Sequence, residues 1–83
     1  MNEEDMKGVI NHLLYFVKYN GLKNALELKK FIYTRNFSSE EMKKLKEIFN
    51  LYGEMNVYNC IISYVNENID NKEDLISKIK GEI

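Results

Sequence analysis

Apolar residues recur at intervals of three and four along nearly the whole chain, a period that predicts helices. Alternation of apolar and polar residues never persists long enough for a strand. The first predicted helix runs from about Glu3 to Tyr19, with Met6, Val9, Ile10, Leu13, Phe16 and Val17 on one face and Asn20-Gly21 as its stop. A second runs from Leu22 to about Arg35 through Leu22, Ala25, Leu26, Leu28 and Ile32. The clearest boundary is Phe37-Ser38-Ser39-Glu40-Glu41-Met42. Here Ser38 can cap the amide of Glu41, Glu41 can reach back to Ser38, and Phe37 and Met42 occupy the two staple positions. The third helix starts there, turns Met42, Leu45, Ile48, Phe49 and Tyr52 inward and Leu51 outward, and ends at Gly53, where a left-handed residue belongs. Asp70 or Asn71 caps a short last helix, in which Glu73 can close a box with Asp70 and Leu75, Ile76 and Ile79 face inward.

Between these lies a helix predicted from Met55 to Ile69, uncharged from Met55 to Asn66. Met55, Tyr58, Ile61, Ile62, Val65 and Ile69 fill one side, Val57, Cys60 and Tyr64 widen it, and Asn56, Asn59, Ser63 and Asn66 form a polar edge. So wide an apolar arc is buried on more than one side. It is the central post of a bundle, half of a self-association surface, or a docking element. The fold class is therefore all-α, a compact bundle of about five short helices in a single domain over residues 1–83. Short connectors imply antiparallel neighbours.

Composition sharpens this reading. Proline is absent, so every helix break must come from Gly, Asn or capping chemistry. Cys60 and His12 are the sole residues of their types, which excludes an internal disulfide and leaves too few ligands for a structural zinc site. No cofactor and no metal are expected. The acidic start Glu3-Glu4-Asp5 is unlike a secretory signal, and the longest uncharged run is far short of the roughly 18 residues of a membrane span. A cytoplasmic protein away from membranes is expected. Heavy use of Asn, Lys, Ile and Tyr fits an AT-rich coding genome, as in low-GC bacteria and their phages.

The net charge of −1 hides a partition. Met1 to Val17 has one basic against three acidic residues, Lys18 to Lys46 eight against three, and Glu47 to Ile83 three against seven. The basic middle offers Lys23, Lys30, Arg35, Lys43, Lys44 and Lys46 as a nucleic-acid footprint, used singly or doubled in a dimer. Against it, Glu40 precedes Lys44 by four, Lys43 precedes Glu47 by four, and Glu27 lies between Lys23 and Lys30, so pairing along the helices should consume much of that charge. A single arginine is poor for bidentate base reading. A repressor-like helix-turn-helix also fails, since Gly53 at its ninth position puts bulky Phe49 at its fifth.

No catalytic site is expected. Cys60 lies among apolar neighbours, where burial makes a thiol inert, so it is read as a buried packing residue. Ser38 and Ser39 are used in capping, Ser63 falls on a polar edge, and Gly8, Gly21, Gly53 and Gly81 are too scattered for a phosphate loop. What remains is a surface. Opposite the first helix's core stripe stand His12, Tyr15 and Tyr19, where a surface helix normally places charges. Tyrosine buries area at low entropy cost and keeps a polar tip, so these three are the candidate partner-binding residues. The alternative is that they are core, the helix being sandwiched between two others. The expected function is non-enzymatic binding of another protein, or of itself as a homodimer, as in a regulator, an immunity-type protein or a phage-encoded inhibitor of host machinery.

Overall fold

Side-chain caps and positive-φ residues delimit five helices in the computed structural model, which describes residues 1–34 and 37–82. In α1, Glu3–Asn20, Asn2 Oδ1 accepts the Asp5 amide at 2.8 Å, and Gly21 ends the helix in the left-handed region at φ 62°. Helix α2 is Ala25–Thr34, shorter at its start than the periodicity predicts. Asn24 Oδ1 takes the Glu27 amide at 2.9 Å and Glu27 reaches back to the Lys23 amide at 2.7 Å, so the capping chemistry starts the helix after Asn24 and leaves Leu22 in the connector. The predicted end near Arg35 lies outside the described residues.

Helix α3, Ser39–Tyr52, opens with the expected box: the Glu41 amide donates to Ser38 Oγ at 3.1 Å and the Ser38 amide to Glu41 Oε1 at 3.3 Å. Gly53 departs from expectation. Its φ of 90° and ψ of 123° lie outside the left-handed helical region, and this one residue redirects the chain straight into α4, Glu54–Asn66. The end of α4 comes three residues before Ile69 because Asn68 adopts φ 54°, and the amides of Asn68 and Ile69 turn back to the carbonyls of Val65 and Tyr64, both at 3.1 Å. Asn71 caps α5, Lys72–Lys80, through the Asp74 amide, so Asp74 rather than Glu73 takes the third position.

Helix α4 packs against each of the other four, which decides among the three roles open to its wide apolar arc: it is the central post. Val57, Tyr58 and Ile61 are fully enclosed, with Ile62 and Tyr64 nearly so. Around them stand Met6, Ile10, Leu13, Leu14 and Val17 of α1, Leu28 and Ile32 of α2, Leu45, Ile48 and Phe49 of α3, and Leu75, Ile76 and Ile79 of α5. Burying side chains of this kind stabilises by about 1.5–3 kcal/mol each before entropy is counted. The radius of gyration, 11.7 Å, matches the about 12 Å of a well-packed chain this long. Among the described residues there is no strand, and no helix is long and apolar enough to cross a membrane.

Two side chains assigned to the core belong elsewhere. Leu26 is 58% exposed, because it lies two residues, or about 200°, from buried Leu28. Met55 is 51% exposed at the first turn of α4. Cys60 packs against the core as expected but is half-buried rather than buried, at the rim of a groove between α4 and α5.

The ion pairs also run differently from the along-helix pairing that spacing suggests. Among the described residues they mainly join helices: Glu3 to Lys80 at 2.7 Å, Asp5 to Lys44 at 3.7 Å, the terminal amine to Glu47 at 3.2 Å, and His12 to Glu41 at 2.8 Å. Asp74 and Lys78 form the one pair at spacing four among the described residues. Exposed pairs of either kind are worth no more than about 1 kcal/mol, so spacing along a helix does not by itself fix which partner a side chain takes.

Candidate functional site

The outer face of α1 presents rings in contact. Tyr15 and Tyr19, one turn apart, stack with centroids 5.5 Å apart and planes inclined by 12°. Tyr15 meets Phe16 edge-on at 5.8 Å, and Phe16 touches His12 at 4.6 Å, Phe31 of α2 at 5.1 Å and Phe37, just before α3, at 5.5 Å. Half-buried Phe16 is thus the hub of a ring network joining α1, α2 and the start of α3. Tyr15 is 57% and Tyr19 75% exposed, which removes the core alternative for both.

His12 serves a different neighbour from the two tyrosines. Its Nδ1 lies 2.8 Å from Glu41 Oε2, while Glu41 Oε1 holds the Ser38 amide and hydroxyl. One carboxylate therefore closes the α3 cap and ties α3 to the aromatic face. Desolvation opposes ionisation of Glu41, but the two Ser38 bonds and the imidazole outweigh it and hold the carboxyl below its ordinary range. The sequence placed His12, Tyr15 and Tyr19 on one face; the structure keeps all three exposed and turns His12 toward α3. Phe16, Phe31 and Phe37 were missed as members, although Phe16 follows His12 by four residues and so neighbours it on the helix.

A second aromatic contact links α2 to the post. Tyr33 donates its hydroxyl to Glu54 Oε2 at 3.1 Å, and buried Tyr58 donates to the same oxygen. Burial, followed by the Glu54 carboxylate, raises the Tyr58 phenol well above its ordinary pKa. This satisfies a hydroxyl inside the bundle and needs no functional reading.

The nucleic-acid candidates do not form one uninterrupted patch. Lys23, Lys30, Lys43 and Lys46 are exposed, Lys44 is engaged with Asp5, and Arg35 lies outside the described residues. Lys43 and Lys44 share their surface with Asp5, Glu40 and Glu47.

The α4–α5 groove encloses about 270 Å³ and is bordered by Asn59, Cys60, Ser63, Tyr64, Asp74 and Lys78, among others. Cys60 Sγ donates to Asn56 Oδ1 at 3.5 Å, and burial pushes its thiol pKa up, the direction that favours the unreactive form. His12 lies at the α1–α3 junction, so thiol and imidazole are not brought together as a nucleophilic pair. Among the described residues no three His, Cys, Asp or Glu side chains converge as a metal-binding group. Comparison of the chain with protein-family models, curated proteins and solved structures gave no significant match.

Proposed function

We propose that this chain is a non-enzymatic binding protein whose interaction surface is the aromatic face of α1, with Tyr15 and Tyr19 at its centre and His12 at its α3 edge. The observation that carries this reading is the exposed, mutually stacked pair of tyrosines on the side of α1 opposite the core. Tyrosine is enriched at interface hot spots because a rigid ring buries much area for little lost entropy. Here the stack and the Phe16 contact hold the rings in place before any partner arrives, which reduces the ordering cost of binding. The bundle behind them is complete, since α4 is already surrounded, so the tyrosines serve no packing need of the monomer. A role as a regulator, an immunity-type protein or a phage-encoded inhibitor of host machinery accords with such a surface on so small a domain.

The test is affinity capture from a lysate of the source organism with the wild-type chain, a Tyr15→Ala/Tyr19→Ala variant, and a Leu51→Ala/Met55→Ala variant altered at exposed apolar residues outside the ring network. Capture lost with the tyrosines alone, at unchanged helix content, supports the reading. Equal capture by all three contradicts it.

A second reading, nucleic-acid binding through Lys23, Lys30, Arg35, Lys43, Lys44 and Lys46, draws on Lys23, Lys30, Lys43 and Lys46, which are exposed and, among the described residues, do not enter the expected ion pairs within their own helices. It predicts binding to generic DNA or RNA that weakens steeply with salt, by roughly one logarithmic unit of slope per phosphate contact.

A further inference from the structure

The exposed side of α1 carries a spacing the monomer does not use. Glu4, Gly8, Asn11, Tyr15 and Tyr19 follow one another at intervals of four, three, four and four, all exposed and away from buried Met6, Ile10, Leu13 and Val17. Gly8 lies inside the helix without a positive φ, and a Cβ placed there would meet nothing within 4 Å. Neither backbone conformation nor crowding within the chain accounts for a residue that weakens a helix relative to alanine. What it provides is a notch in the outer face, two turns from Tyr15.

The ends of the same stripe carry opposite charges. Glu3 and Asp5 are taken by Lys80 and Lys44, whereas Glu4 has no ion pair among the described residues. In the last turn Lys18 is likewise unpaired among the described residues.

We propose that the occupant of this face is a second copy of the chain, lying antiparallel across α1 about a two-fold axis between Asn11 and His12. The proposal rests on the reading of the α1 face as the interaction surface and names its partner. About that axis Gly8 faces Tyr15 of the other copy, and Glu4 faces Tyr19 beside Lys18, each pairing occurring twice as two-fold symmetry requires. One register thus sets ring over notch and acid against cation. A parallel arrangement would oppose Glu4 to Glu4 and Tyr15 to Tyr15, leaving both notches empty, and would align the helix dipoles unfavourably. A contact centred on one helix about 27 Å long lies at the small end of specific interfaces, so the dimer is expected to dissociate at micromolar concentrations.

The experiment is sedimentation equilibrium of the full chain from about 1 μM to about 1 mM, with thermal melting of each variant. The wild type should shift from 9.9 kDa to twice that mass across the range. Glu4→Lys and Lys18→Glu should each weaken the dimer about tenfold, and their combination should recover most of the loss. Gly8→Gln should fill the notch and weaken the dimer at least about tenfold while leaving the melting temperature of the dilute monomer unchanged or higher. A wild type that stays monomeric throughout overturns the proposal; if Tyr15→Ala/Tyr19→Ala still abolishes capture of another protein, the α1 surface stands and only the second copy is wrong. A dimer indifferent to all these α1 variants, the tyrosine pair included, overturns the proposal, and only capture that is equally indifferent to the tyrosine pair overturns the reading of the α1 surface as well.

Discussion

Tyr15 and Tyr19 stack on each other at 5.5 Å yet leave most of their surface in solvent. Two large rings held in register but not buried have little to contribute to the monomer's stability. Truncating either to alanine should therefore change the unfolding free energy by no more than about 0.5 kcal/mol, the range of ordinary surface substitutions. The same change should cost a bound complex about 2 kcal/mol at one position or both if the rings are a hot spot. Denaturant titration and binding measured on the same variants separate the two effects.

The Ser38–Glu41–His12 chain predicts coupling between a helix cap and a tertiary contact. Ser38→Ala should destabilise the fold by about 1 kcal/mol. Because Glu41 serves both partners, Ser38→Ala and His12→Ala should be non-additive by about 0.5 kcal/mol or more in a double-mutant cycle. Strict additivity would show that the shared carboxylate transmits nothing.

Acid should weaken the same region. The carboxyls of Glu41 and Glu3 are held below their ordinary value of 4.5, Glu41 by the Ser38 bonds and His12 against desolvation, and Glu3 chiefly by its bond to Lys80. A depressed carboxyl contributes stability that is present above its unfolded pKa and lost as pH falls through the folded one. The urea midpoint should accordingly fall as pH drops below 4.5, and Glu41→Gln should flatten that fall while lowering the plateau.

The opposite limb belongs to Tyr58. Its phenol, raised by burial and then by Glu54, keeps its proton in the folded state where the unfolded chain loses it near pH 10.0. Stability from this group is complete below that pH and is lost as pH rises through the folded pKa. Tyr58→Phe should reduce the alkaline loss seen in denaturant titrations above pH 10.0, at a cost of about 1 kcal/mol near neutrality for the missing bond to Glu54.

Local chemistry made much of this legible. The Ser38 box and the α1 stop at Gly21 follow from residue type and spacing, and the uncharged run of α4 already required burial on several sides. The Asn24-x-x-Glu27 cap was equally present in the chain, but Leu22 drew the start of α2 too early because an apolar period says nothing about where a side-chain oxygen first meets an amide. Tertiary choices were not legible. Asp5 pairs with Lys44 and Glu3 with Lys80 across helices whose adjacency no periodicity encodes, and the same ignorance left Met55 assigned to the interior, whereas the exposure of Leu26 follows from its offset of about 200° from Leu28 and was legible in the helical period itself. At the candidate site, opposition to the core stripe located Tyr15 and Tyr19, while the hub role of Phe16 depends on α2 and Phe37 folding back onto α1.

The most direct measurement is hydroxyl-radical footprinting of the tyrosine side chains in dilute and concentrated solution, read residue by residue by mass spectrometry. Tyr33, 49% exposed and bonded to Glu54, lies outside the proposed contact and serves as the internal reference. The α1 interface predicts that Tyr15 and Tyr19 become protected with concentration while Tyr33 keeps its reactivity. Association that protects Tyr33 and leaves Tyr15 and Tyr19 as reactive as in dilute solution would contradict it.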